Sequence, residues 1–219
     1  MPLPVDPEAD LDARSVVLVH GLWMVTPMLA LQRVHLGRCG YRTAAFSYPS
    51  VRLGLDDIAA RLARFVGGLG EPRVHLVGHS LGGLAILDML ALHPEVPAGR
   101  IVLLGSPCMG SSAARHIARS RTGRAVVGRA LLDWLPERGI AVANRFEVGM
   151  IAGTARFGVG TFLAPLTRPN DGVVCLDETR MPGLRDHLAL PLTHSVLFVS
   201  PRASRQVCHF LEHGRFART

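Results

Sequence analysis

The chain has 219 residues, a length that fits one domain with a sizeable core. Hydrophobic residues make up 48% and charged residues 19%, which excludes a disordered chain. The formal net charge is +7, and all 24 basic residues are arginine. We attribute this bias to the nucleotide composition of the coding DNA rather than to an acidic partner. No uninterrupted apolar run of about 18 residues occurs, so we expect no membrane span.

The ends of the chain and its cysteines bear on location. Residues 1–14 begin proline-rich and acidic, and we interpret them as a flexible leader before a single domain over residues 15–219. The leader has no basic start and no apolar run, so it is not typical of a signal peptide. The four cysteines have no C-x-x-C spacing, which favours buried, reduced thiols over a disulfide and predicts a cytoplasmic protein. They are Cys39, Cys108, Cys175 and Cys208.

Short apolar runs alternate with helical patterns along the chain. We expect strands over residues 15–21, 41–48, 73–78, 100–106 and 146–154, and a short element near the sheet edge over 172–178. Helices are expected over residues 26–38, 56–66, 81–92 and 195–210. The alternation predicts an α/β fold with a mostly parallel central sheet of about six strands and helices on both faces. Ligands bind such sheets at the carboxyl ends of the strands.

A segment at about residues 109–145 breaks this alternation. It is small, rich in arginine and expected to be helical, with only Asp133 and Glu137 against its seven arginines. They are Arg115, Arg119, Arg121, Arg124, Arg129, Arg138 and Arg145. Such a patch could contact anionic lipid or an acidic substrate. It has no interleaved aromatic residues, so we expect no nucleic-acid partner.

Ser80 lies where a predicted strand turns into a predicted helix, within Gly78-His79-Ser80-Leu81-Gly82. Glycine is costly in such elements unless the backbone needs room. A tight corner at Ser80 would expose its hydroxyl and leave no space for side chains two residues away. The pattern G-x-S-x-G between a strand and a helix resembles the nucleophile elbow of the α/β-hydrolases.

A serine nucleophile needs a base in contact and an acid that orients this base, and in this fold the chain order is serine, acid, histidine. Of the ten histidines, His194 and His187 fit that order. We favour His194, because its loop opens directly into an apolar helix, over His187, which we interpret as an exposed loop residue.

For the acid we favour Asp171, since Pro169, Asn170 and Gly172 form a sharp turn that could hold its carboxylate. The alternatives are Asp177, Glu178 and Asp186, the last of which would pair with His187. Asp171 as a purely turn-forming residue also stays open.

The oxyanion of the attack needs two backbone donors. We expect them to be the N–H groups of Leu81, after the serine, and Leu22, in the loop after the first strand. His20 in that loop is interpreted as a loop-fixing residue rather than a catalyst. Trp23 and Met109 are candidates for the substrate pocket, and a core position for Trp23 stays open.

From residue 15 to 213 the chain resembles the α/β-hydrolase family, and among its members the small, nearly lidless bacterial lipases and esterases with a reduced sheet. The motifs are VVLVHGLW, VGHSLGG, LLGSPCMGS, PNDGVV and LTHSVLF. The resemblance implies Ser80 as nucleophile, Asp171 as acid, His194 as base, and Leu22 and Leu81 as oxyanion donors. The arginine-rich segment departs from it by replacing a cap or short loop.

The resulting expectation is a serine hydrolase that cleaves carboxylic esters through an acyl-enzyme, a lipase or carboxylesterase without cofactor or metal. Its partner would be a small-molecule ester or lipid, with peripheral contact to anionic lipid as a further option. A thioesterase or acyltransferase with the same residues is the alternative. A non-catalytic binding protein is less favoured, because all three catalytic residue types are present. The sequence leaves the oligomeric state open.

Overall fold

The computed structural model describes residues 14–157 and 165–218, in which six strands form one sheet. The strands are β1 Ser15–Val19, β2 Arg42–Phe46, β3 Val74–His79, β4 Ala98–Leu104, β5 Val148–Gly153 and β6 Asp186–Leu190. Their order is β2-β1-β3-β4-β5-β6, and every pairing is parallel. The predicted fold class is therefore confirmed. All carboxyl ends meet at one edge of the sheet, which we call the carboxyl edge.

Seven α-helices accompany the strands in the described ranges. They are α1 Ala30–Arg38, α2 Leu55–Gly67, α3 Leu81–Leu92, α4 Ser112–Ile117, α5 Arg121–Val127, α6 Pro136–Ala143 and α7 Pro201–His213. Short 3-10 turns cover Thr26–Leu29 and Leu176–Thr179. None of these helices is long and apolar enough to cross a bilayer.

The sheet is buried on both faces, as its continuous apolar strands require. Alternate side chains of β1 point to opposite faces. Val17 and Val19 join the core under α2, α3 and α6, whereas Val16 and Leu18 join the core under α1 and α7. Most of α3 is buried all round, because it lies between the sheet, α2 and α6.

Two predicted elements differ in the structure. Residues 172–178 form no strand, since an isolated bridge between Asn170 and Cys175 closes them into a turn that leads to the 3-10 turn. The sixth strand is β6 instead, a half-exposed edge strand that begins with the polar pair Asp186 and His187. The closing helix begins later than expected, because residues 195–199 form turns. Apart from Arg14, the predicted leader lies outside the described residues.

The prediction of four reduced cysteines is wrong for two of them. Cys39 and Cys208 form a disulfide that joins the end of α1 to α7, with 6.4 Å between their Cα atoms. Cys108 and Cys175 are free and buried, as predicted. Disulfides persist mainly in oxidising compartments, so the cysteines no longer support a cytoplasmic location. That location stays a prediction.

The arginine-rich segment carries α4, α5 and α6 and is attached to the rest of the fold. Arg138 Nη1 lies 2.6 Å from Oδ1 of the fully buried Asp88 in α3, and 2.7 Å from Oδ1 of Asp56 in α2. Burial raises the pKa of Asp88, and Arg138 opposes that shift. Trp134 Nε1 donates to the Cys108 carbonyl at 2.8 Å. A buried carboxylate and a buried indole thus hold this segment to α3 and β4.

Removal of the disulfide should lower the stability of the fold. It closes a loop between positions 169 residues apart, and such cross-links stabilise folds by about 2–5 kcal/mol. We expect the free energy of unfolding of the paired variant Cys39→Ser/Cys208→Ser to be lower by that amount, which would appear as a lower urea midpoint. As a control, a reductant should destabilise the unsubstituted chain and leave this variant unaffected. Equal urea midpoints for variant and unsubstituted chain would contradict the assignment.

Candidate active site

Ser80 occupies a strained corner between β3 and α3. Its backbone has φ 52° and ψ −120°, a conformation that residues other than glycine rarely adopt. A Cβ on Gly78 would lie 2.6 Å from the Gly83 backbone, and a Cβ on Gly82 would overlap the Val19 carbonyl at the end of β1. The glycine spacing found in the sequence is therefore a steric requirement of this corner.

The first loop lies directly against this serine. A Cβ on Gly21 would lie 3.2 Å from Ser80 Cβ. Leu81, as the first residue of α3, has an amide N–H without an intrahelical acceptor. The described residues supply no hydrogen-bond partner for the Leu22 N–H either. Both predicted donor groups thus flank Ser80, and the dipole of α3 adds positive potential there.

His20 and Tyr48 hold that loop in place. The Tyr48 hydroxyl donates to the His20 carbonyl at 2.6 Å, and the two rings stack with centroids 4.4 Å apart. His20 Nδ1 is 2.9 Å from the Gly21 carbonyl, so Nδ1 carries the proton, and Nε2 accepts from the Tyr48 N–H at 3.4 Å. Burial lowers the pKa of His20, which keeps its ring neutral. These contacts match the interpretation of His20 as a loop-fixing residue.

Asp171 is held rigidly in the predicted turn. Its Oδ1 accepts from the N–H groups of Val173 at 3.0 Å and Val174 at 2.7 Å, and its side chain is almost fully buried. Asn170 Oδ1 accepts from the Gly172 N–H at 3.1 Å. Gly172 has φ 96°, a left-handed conformation that suits glycine. The turn itself therefore uses one carboxylate oxygen of Asp171 and leaves Oδ2 for another partner.

That partner is His194. Its Nδ1 lies 2.7 Å from Asp171 Oδ2, and its backbone N–H donates to the Asp171 carbonyl at 2.9 Å. A carboxylate only accepts, so Nδ1 carries the proton and Nε2 of a neutral ring is left as a base. Gly105 approaches both side chains, since a Cβ there would lie 3.1 Å from His194 Nδ1. The structure thus brings the predicted acid and the predicted base together.

His79, beside Ser80, joins the serine corner to the histidine loop. Its Nε2 donates to the His194 carbonyl at 3.1 Å, and the two rings lie 4.7 Å apart. Burial holds the pKa of His79 well below its ordinary value. A neutral His79 adds no positive charge next to His194, so it does not oppose protonation of that ring. Sequence order alone excluded His79 from catalysis and could not reveal this supporting position.

The alternative carboxylates and the alternative base are occupied elsewhere. His187 and Asp186 are neighbours on β6, so their side chains point to opposite faces of the sheet. His187 Nε2 lies 2.9 Å from Thr179 Oγ1, and Asp186 Oδ2 accepts from the Phe216 N–H at 2.8 Å. The side chain of Asp177 is 85% exposed. Glu178 accepts from the N–H groups of Ser112 and Cys175.

The two pocket candidates lie at the carboxyl edge. Trp23 is 63% exposed, which rules out the alternative core position. Its backbone has φ 60°, its N–H donates to Ser50 Oγ at 3.2 Å, and its Nε1 donates to the Val126 carbonyl at 3.0 Å. Met109 is 38% exposed, and its N–H donates to the Glu178 carbonyl. A pocket role for either side chain stays a prediction.

Ser80 and His194 form no hydrogen bond with each other among the described contacts. Such bonds are often long in unliganded active sites and shorten with substrate. Within residues 14–157 and 165–218, no three or more His, Cys, Asp or Glu side chains are grouped so as to hold a metal ion. The chemistry available to these side chains is that of a hydroxyl, an imidazole, a carboxylate and backbone donors.

Comparisons with known proteins find similar hydrolases. A putative carbamate hydrolase RutD of Pantoea ananatis is 34% identical over 115 residues, which cover 48% of this chain and 41% of that protein. The chain thus spans less than half the length of the curated relatives that it matches.

Solved structures share the fold at low sequence identity. The Bacillus licheniformis lipase BlEst2 superposes with a TM-score of 0.68 at 20% identity, over 94% of this chain and 92% of the lipase. The metagenomic carboxyl esterase MGS0156 has the same TM-score and identity, over 93% of this chain and 75% of the esterase.

A sequence profile described as the alpha/beta hydrolase family matches residues 16–216, which include all strands of the sheet except the first residue of β1, and each residue of the site described above. The chain therefore belongs to the alpha/beta hydrolase family.

Proposed function

We propose that this chain is a serine hydrolase that cleaves carboxylic esters through an acyl-enzyme. The observation that carries the proposal is the buried Asp171–His194 pair, which lies at the carboxyl edge beside the strained corner of Ser80. The carboxylate orients the imidazole and stabilises its protonated form, and the imidazole is left with a free Nε2. This arrangement favours a histidine base for a serine hydroxyl.

The reaction has two halves. Ser80 Oγ attacks the ester carbonyl while His194 Nε2 takes the hydroxyl proton, and the new oxyanion accepts hydrogen bonds from the Leu22 and Leu81 N–H groups. The tetrahedral intermediate breaks its bond to the alcohol oxygen, which leaves with the proton from His194. Water then attacks the acyl carbonyl while His194 Nε2 takes its proton, the bond from the acyl carbon to Ser80 Oγ breaks, and His194 returns that proton to Oγ as the carboxylic acid departs.

A second candidate is hydrolysis of a carbamate by the same residues. It is favoured by the similarity over 115 residues to a protein described as a putative carbamate hydrolase. Thioester hydrolysis and acyl transfer to an acceptor other than water use the same acyl-enzyme. An assay panel of p-nitrophenyl esters, acyl-CoA thioesters and aryl carbamates would separate these candidates by their relative kcat/KM.

Ser80→Ala should abolish hydrolysis of the preferred ester and labelling by a fluorophosphonate probe, which reacts only with an activated serine. Losses of this kind are on the order of 10⁴- to 10⁶-fold in rate. Ser106→Ala is the matched control, because Ser106 is a buried serine just past the end of the neighbouring strand β4. It should keep both labelling and activity. Labelling of the Ser80→Ala variant would contradict the assignment of the nucleophile.

Asp171→Asn and His194→Ala should each lower kcat/KM by roughly 10³-fold or more, since each removes a partner that stabilises the transition state. Asp186→Asn and His187→Ala provide a matched pair of the same residue types in β6. Their contacts hold the chain end and the 3-10 turn, so we expect activity within about tenfold of the unsubstituted chain. The reverse pattern would place the active site at β6. Circular dichroism of all four variants separates loss of activity from loss of fold.

A further inference from the structure

The loop after β1 exposes three large apolar side chains to solvent. Trp23, Val25 and Met28 are 63%, 57% and 46% exposed. The indole is fixed outward, because Trp23 takes a left-handed backbone conformation and both of its nitrogens donate hydrogen bonds. One hydrogen bond from the backbone and one from the indole thus hold a large aromatic side chain with most of its surface in water. Such a ring, with a polar end and an apolar body, suits a membrane–water interface.

Exposed basic side chains lie on a helix that contacts this loop. The indole of Trp23 donates to the carbonyl of Val126 in α5, so α5 is in direct contact with the loop. Val126 is 49% exposed, and Arg121 and Arg124 on the same helix are also exposed. Neither arginine forms an ion pair within the part of the chain that the structure describes. Arg124 donates through Nε to the Ala118 carbonyl and keeps its remaining donors for other partners.

We propose that the surface formed by Trp23, Val25, Met28, Arg121, Arg124 and Val126, here called the apolar–basic surface, docks the protein on a membrane that contains anionic lipid. Apolar side chains would enter the boundary between headgroups and acyl chains, and the guanidinium groups would contact lipid phosphates. Apolar and basic side chains together favour a membrane as the partner. Aliphatic side chains gain nothing from a nucleic-acid backbone, whereas a bilayer surface offers contacts to both kinds of side chain.

The position of the surface relative to the site has a functional consequence. The loop after β1 and the segment that carries α5 both leave carboxyl ends of strands, at the edge that holds Ser80 and His194. Loops after β4, β5 and β6 add exposed Met109, Phe157 and Val196 at this edge. Docking would bring the proposed active site to the bilayer, so the substrate class would be esters that reside in or partition into membranes.

Vesicle binding tests the proposal without turnover. The full chain is sedimented with vesicles of phosphatidylcholine alone and with vesicles that also contain phosphatidylglycerol, at low and high salt. We expect binding to the anionic vesicles only, and weaker binding at high salt because exposed charges are then screened. Equal binding to both vesicles, binding that ignores salt, or no binding would overturn the proposal. Binding to an acidic protein or nucleic acid without binding to vesicles would overturn it as well.

Two sets of variants locate the contact. Arg121→Gln/Arg124→Gln should weaken partition onto anionic vesicles by roughly 10- to 30-fold, since each basic residue contributes to attraction at the surface. Arg61→Gln/Arg64→Gln is the matched control, because these are two exposed arginines with the same spacing on α2. It should bind as the unsubstituted chain does. The charge-conserving variant Arg121→Lys/Arg124→Lys should retain binding. An equal loss in the α2 control would overturn the assignment to α5.

Trp23 also supplies a spectroscopic readout. The other tryptophan, Trp134, is buried, so a blue shift of emission on vesicle binding reports Trp23. The shift should disappear in Trp23→Phe and persist in Trp134→Phe. Its persistence in Trp23→Phe would place the contact elsewhere. The proposal goes beyond ester hydrolysis, and the two can fail separately. Vesicle binding without ester cleavage would overturn only the proposed function. Ester cleavage without vesicle binding would overturn only the docking surface.

Discussion

The close approach of α3 to the end of β1 is the constraint on which the site depends. Gly82 lies against the carbonyls of Val19 and His20, so the first turn of α3 is in contact with the strand that carries the first loop. This contact brings Gly21, which precedes the predicted donor Leu22, against Ser80. Strain of the kind found at Ser80 costs about 1–3 kcal/mol and persists only where packing imposes it. Here β3 is paired on both edges and α3 is buried, so the corner cannot relax.

The charges of the site are arranged around one carboxylate. Asp171 is buried but accepts hydrogen bonds from two amides and one imidazole, which compensates for the loss of water. Burial lowers the pKa of His79 and of His20, so neither ring adds positive charge beside His194. An imidazolium formed at His194 would meet the negative charge of Asp171.

Features that depend on neighbouring residues could be predicted from the sequence. The glycine spacing around Ser80 reflects a local steric requirement, and the Asp171 turn is made by the residues beside it. The pairing of Asp171 with His194 was predicted from the turn around the acid and the loop before the last helix, once chain order had reduced the candidates, and their catalytic roles stay predictions. The predicted outline of the sheet was right for five strands, four of which have mostly buried apolar runs, whereas β2 is a partly exposed edge strand.

Features that depend on distant contacts could not be predicted. β6 begins with Asp186 and His187 and is half exposed, so it lacks the apolar run of a central strand. Cys39 and Cys208 are 169 residues apart and meet only because α1 packs on α7. The exposed position of Trp23 requires α5 as a hydrogen-bond partner, 103 positions along the chain.

The ion pairs of Arg138 also limit how far the arginine-rich segment can move. If the arginine-rich segment swung away as a rigid body, the carboxylate of Asp88 would remain in the core without its cation. Breaking a buried pair in this way costs roughly 3–5 kcal/mol. At that cost the swung-out state would hold on the order of one molecule in 10² to 10⁴ at equilibrium. The segment is thus held as a fixed part of the fold against α2 and α3, and its swung-out state would be rare.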